Sequence, residues 1–116
     1  MSREFGVSKE AMARSWLDEH REPVAVVIAR NGRIERQYRN EDFPWLPRGN
    51  GDLLPPDSLV ANCAVEAGAY TAIEEVEPDA WFIERDAERV LVLTEQVRGQ
   101  SDGYAMVLLQ AEMDDD

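Results

Sequence analysis

The chain has little of what most catalytic chemistry requires. Among its 116 residues there is one histidine, His20, and one cysteine, Cys63. A single cysteine excludes an intrachain disulfide, and with it the disulfide-stapled class of small secreted domains. A single histidine excludes a two-histidine zinc pair on one helical face. No apolar run approaches the roughly 18 residues of a membrane-spanning helix, because the longest, 24–29 and 104–109, are strand-sized. The opening Met-Ser-Arg-Glu-Phe-Gly lacks the apolar centre of a secretory signal, so a cytoplasmic location without membrane association is expected. Positive charge is scarce, with 12 bases against 24 acids and a net charge of −12. A field of that sign repels phosphate backbones, and autonomous nucleic-acid binding is not expected. Internal repeats and low-complexity linkers are absent too.

What is present suits one small domain preceded by a helix. Ser8 is a good N-cap, Glu10 sits favourably in the first turn, and Val7 can staple onto Met12. A helix over residues 9–20 follows, with Met12 stacked on Trp16 and Ala13 on Leu17. That apolar stripe must dock on something, so Met12, Trp16 and Leu17 are a candidate helix-docking interface. Pro23 forces Glu22 out of helical geometry and marks the boundary between residues 1–22 and a domain spanning 23–116.

Asn31-Gly32 between two strand-like runs reads as a hairpin with a type I′ turn. Direct two-residue closure pairs Arg30 with Arg33 and Val27 with Arg36. It puts Ala25, Val27, Ala29, Ile34, Arg36 and Tyr38 on one face. The first strand is apolar on both sides, as in an interior strand covered twice. Residues 40–57 combine turn chemistry with embedded aromatics, Phe43-Pro44-Trp45-Leu46-Pro47. A second helix is predicted from Asp57 or Ser58, burying Leu59, Val60, Cys63, Ala64 and Ala67 and stopping at Gly68. A short strand over 70–76, a helical turn at 78–82 and a hairpin of 89–97 with 104–112 complete about five strands and two main helices, an α+β pattern.

No catalytic, cofactor or metal site emerges from these residues. His20 reads as a surface residue at a helix end, and Cys63 as a small buried hydrophobe among alanines. Glu74-Glu75-Val76-Glu77 and the acidic end at 112–116 lack the glycine-punctuated spacing of a calcium loop and read as solvated faces. Gly99-Gln-Ser-Asp-Gly103 lies between strands instead of before a helix, which argues against a phosphate cradle. The remaining candidate is the basic stretch Arg30, Arg33, Arg36, Arg39 and Arg48 with its aromatics. Arg36, Tyr38, Trp45 and Arg48 could together hold an anionic ligand or an acidic partner segment. Against this stands the plainer reading, in which Phe43, Trp45 and Leu46 cap the core edge while the arginines offset local acids.

Residues 5–13, Phe-Gly-Val-Ser-Lys-Glu-Ala-Met-Ala, resemble the turn and third helix of the helix-turn-helix segment of ImmA/IrrE-family metallopeptidase regulators. Pro23 to Ile34, Glu41-Asp42-Phe43-Pro44-Trp45, Leu54-Pro55-Pro56, Ser58-Leu59 and the closing stretch from Gly103 to Glu112 are similar to the carboxy-terminal domain of that family. The resemblance implies a GAF/PAS-like, mostly antiparallel sheet of about five strands flanked by helices, with a helix-turn-helix remnant before it. It also implies a stress or repressor regulator whose zinc peptidase domain is missing here, so protease activity is not inherited. Two classes of function remain: a regulatory or sensor module that binds a small ligand or a partner such as a separate peptidase chain, and an interaction module that forms a homodimer or meets another protein.

Overall fold

The computed structural model describes residues 23–113. Strands β1 (Val24–Arg30) and β2 (Arg33–Arg39) form the expected hairpin. Asn31 at φ 53° and Gly32 at φ 83° both occupy the left-handed region, which a type I′ turn requires and which Asn and Gly tolerate best. Three more strands, β3 (Glu74–Val76), β4 (Val90–Gly99) and β5 (Tyr104–Met113), complete one antiparallel sheet in the order β2-β1-β5-β4-β3.

The hairpin's register departs from direct closure. Arg30 faces Arg33 and Ala29 faces Ile34, but the next pair is Ile28 with Arg36, which leaves Glu35 as the extra residue of a β-bulge. One inserted residue moves everything beyond it to the opposite face. Arg36 and Tyr38 therefore lie with Val26 and Ile28, while Gln37 and Arg39 lie with Val27 and Ala25.

The expected helix-flanked, GAF/PAS-like α+β architecture is wrong. Helical structure among the described residues is limited to α1 (Glu84–Ala87), a single turn, and 3-10 turns at Val60–Asn62, Pro78–Ala80 and Ser101–Gly103. No helix among them flanks the sheet. The predicted second helix ends after one turn, at Cys63 in extended geometry (φ −133°, ψ 159°). Two tertiary effects override the local helical signal. The Asn62 side chain turns back to donate to the carbonyls of Pro56 and Ser58, at 2.8 and 2.7 Å. Beyond it the chain is drawn onto the edge of β4, where Gly68 N–H donates to Gly99 O (2.8 Å) and Gly99 N–H donates to Ala69 O (2.9 Å).

Irregular chain covers one face of the sheet. Ala25, Val27, Leu93, Val97, Val107 and Leu109 point into this layer and meet Phe43, Leu46, Leu54, Val60, Trp81 and Phe82 from the connections. The opposite face carries a smaller apolar cluster around Val26 and Met106, flanked by Tyr38 and Leu108. The predicted amino-terminal helix with Met12, Trp16 and Leu17, His20, and the acidic end at 114–116 lie outside the described residues. No helix among the described residues is long and apolar enough to cross a membrane.

Candidate functional site

The loop from Asn40 to Leu54 runs beside β2, the edge strand of the sheet. Its aromatic segment divides by burial: Phe43 and Leu46 enter the core, whereas Trp45 between them is 67% exposed. Pro44 and Pro47 bracket that segment and restrict its backbone, so the outward direction of Trp45 costs little further entropy. The Phe43 ring meets Phe82 with centroids 5.4 Å apart, anchoring the loop from below.

Arg39 lies over this loop. Its guanidinium stacks 4.7 Å from the Trp45 ring centroid, and its Nη1 donates to Phe43 O at 3.1 Å. Gln37 Nε2 donates to Arg48 O at 2.8 Å and ties the far side of the loop to the strand. Between strand and loop is a cleft of about 370 Å³ lined by Gln37, Tyr38, Arg39, Trp45, Leu46 and Asn50. It offers an exposed indole, a guanidinium with five N–H donors, and two amide side chains.

Of the four residues expected to form a site, Trp45 stands in this cleft and Tyr38 lines it from β2, although the register puts the Tyr38 side chain on the opposite face, with Val26. Arg36 is carried away by the bulge at Glu35 and lies exposed on the opposite face. Arg48 braces the loop instead, its Nη1 donating to Leu53 O at 3.2 Å. Arg39, which the sequence shows only as one member of a basic run, occupies the place expected of Arg36. The bulge decides between them, and no residue near Glu35 announces a bulge.

A second feature escaped the sequence reading. Glu95 on β4 is fully buried. Its carboxylate accepts from Leu59 N–H (3.0 Å), Val60 N–H (2.8 Å) and Trp81 Nε1–H (3.0 Å). Burial pushes the Glu95 carboxyl above the usual carboxylate range, although the three donors pull the other way. A signal was available: Leu93, Glu95 and Val97 alternate on the inward face of β4, so an acid occupies a core position of the strand. The residue pins two connections to the sheet. Nearby Cys63 is held above the ordinary thiol range by burial, then by the charges of Glu95 and Glu74, so it stays a thiol instead of becoming a nucleophilic thiolate.

No three His, Cys, Asp or Glu side chains among the described residues are grouped to hold a metal ion. A second cleft, of about 830 Å³, lies where β4 begins and β5 ends and is lined by mixed groups, among them Ile73, Arg89, Leu91 and Glu112. Comparison with protein-family models, curated protein sequences and solved structures finds no match to this chain.

Proposed function

We propose that the protein is a non-catalytic regulatory module that binds an acidic segment of a partner protein at the Arg39–Trp45 cleft. The observation that carries this reading is Trp45 itself, a tryptophan left two-thirds exposed in a braced loop with a guanidinium stacked on its ring. Trp and Arg are both among the residues enriched where binding energy concentrates. The sign of the partner follows from charge placement. In a chain of net −12, Arg30, Arg33, Arg36, Arg39 and Arg48 all fall on the β1–β2 hairpin or the loop that follows it. An acidic segment meets favourable charge there and unfavourable charge over much of the rest of the surface. The likeness of several segments to ImmA/IrrE regulators makes a separate peptidase chain one partner to test. It fits a split or truncated regulator.

A hexaglutamate peptide is a suitable first probe, followed through tryptophan fluorescence at low and high salt. Binding that weakens with salt, and is lost in Trp45→Ala and in Arg39→Gln, is the expected result. Equal binding by both variants would overturn the assignment of the site. The second reading, self-association through the β2 edge, rests on that strand having, among the described residues, a partner strand on one side and only the loop backbone at 51–53 bonded near its start on the other. Sedimentation across a hundredfold range of concentration separates the two, since a monomer that binds the peptide excludes it.

A further inference from the structure

Part of the β2 edge stands open beside the Arg39–Trp45 cleft. Asn40 N–H donates to Val24 O at 3.1 Å, so the chain at the end of β2 turns its hydrogen bonds toward β1 there. Inward and outward residues alternate along an antiparallel strand. Tyr38, opposite Val26, therefore bonds inward, whereas Gln37, opposite Val27, and Arg39, opposite Ala25, direct their backbone N–H and C=O away from β1. Nearer the turn the outward groups are taken. Ile34 N–H donates to Asp52 O at 2.8 Å, and its carbonyl accepts from Gly51 N–H. The loop thus already adds one short antiparallel segment to this edge, around the bridge between Arg33 and Leu53. Among the described residues no backbone group continues that pairing opposite Gln37 and Arg39. The space beside them is the cleft of about 370 Å³.

We propose that the acidic partner segment binds here as an extended strand, pairing its backbone with Gln37 and Arg39. This rests on the assignment of the cleft to an acidic segment and specifies how that segment is held. An unmatched stretch of edge is a template for an added strand. Side chains of an extended strand point alternately to the two faces of a sheet, so a run of acids beside β2 needs cations on both. The bulge at Glu35 supplies them. Arg39 is exposed on the cleft face, stacked on Trp45, and Arg36 is exposed on the opposite face, where it pairs with Ile28. Arg36 has no part in a ligand confined to the cleft, but it lies on the side to which every second carboxylate of an added strand points. Residues 30–48 carry five arginines against Glu35, Glu41 and Asp42, in a chain of net −12, which selects an acidic occupant. The cleft also has a wall on each side, β2 on one and Trp45, Leu46 and Asn50 on the other, so it admits a single chain and not the edge of a second sheet.

The test compares hexaglutamate with its fully N-methylated analogue, which carries the same side-chain charge but has no peptide N–H to donate. Titrated into the full chain and followed by tryptophan fluorescence, hexaglutamate should bind, and the analogue should bind about tenfold more weakly or worse. In amide hydrogen exchange, hexaglutamate should slow Gln37 and Arg39 and leave Tyr38, which already bonds to β1, nearly unchanged. Arg36→Gln should weaken hexaglutamate binding although its side chain lies on the far face. Equal affinity for the two peptides, unchanged exchange at Gln37 and Arg39, or an Arg36→Gln variant that binds like the parent protein overturns the added strand while leaving the acidic-segment site standing. Binding of neither peptide overturns both. Slowing at Gln37 and Arg39 that grows with protein concentration in the absence of peptide assigns the edge to a second copy and overturns the proposal as well.

Discussion

The two faces of the sheet differ in the physics of their described contacts. Over the first, irregular connections are fastened by directional bonds: Glu95 takes three N–H donors from two separate segments, and the surrounding side chains fill the space between. The second face has no comparable polar anchor among its described side chains, and Val26 and Met106 offer only apolar area. A hydrogen-bonded layer has one geometry and loses much when an acceptor is removed. An apolar layer tolerates changes of shape and loses stability in proportion to the contact deleted.

The sharpest way to break this contrast is to remove the acceptor. Glu95→Ala strands the N–H groups of Leu59, Val60 and Trp81, each worth about 1–3 kcal/mol when left buried without a partner. Water entering the vacated space offsets part of that loss, and we expect a net cost of about 3–5 kcal/mol by urea denaturation. A cost below about 1 kcal/mol would mean that the connections are held by packing alone. On the other face Met106→Ala should cost about 2–3 kcal/mol through lost contact and a residual cavity. Met106→Leu should be close to neutral there, because an apolar layer asks only for similar volume.

Protonation tests the same anchor more gently. The Glu95 carboxyl is raised above its ordinary value, so between about pH 4.3 and the raised folded value the native state binds more proton than the unfolded chain. Stability contributed by this group therefore falls as pH rises through that window. Glu95→Gln cannot titrate, and one end of its amide turns a donor toward donors, so it starts less stable than the parent. The gap between parent and Glu95→Gln should be widest near pH 4 and narrow as pH rises toward neutrality. A gap that widens instead would show that the three donors outweigh burial. Paired urea titrations at several pH values measure it.

Legibility in the sequence follows the range of the interaction responsible. Asn31-Gly32 was readable because its turn geometry is local, and the 3-10 turn at Pro78–Ala80 was readable for the same reason. The bulge at Glu35 was not, because it reflects how β2 fits β1 and the Gly51–Leu54 backbone, with Ile34 N–H donating to Asp52 O at 2.8 Å. The helix expected after Ser58 failed where long-range pairing with Gly99 won over local propensity. A Cβ on Gly99 would overlap the carbonyls of Val65 and Glu66, so that pairing depends on a glycine about thirty positions away in sequence. In the candidate site, Trp45 was legible as an aromatic between prolines. Its partner Arg39 depended on the unreadable bulge.

The smallest expected effect concerns the site itself. Trp45 is 67% exposed, while Phe43 and Leu46 on either side carry the burial that holds the loop. Trp45→Ala forfeits the stacking with Arg39 and some exposed area, and neither contributes much in water. We expect a loss of less than about 1 kcal/mol, with the denaturant slope unchanged. Phe43→Ala, two residues away, should cost about 3–5 kcal/mol because its ring is 1% exposed and packs on Phe82. A tryptophan that contributes so little to folding while its neighbour contributes so much is free to serve binding. If Trp45→Ala instead approached the cost of Phe43→Ala, the ring would be part of the loop's structure, and the reading of the cleft as a recognition site would lose its main support.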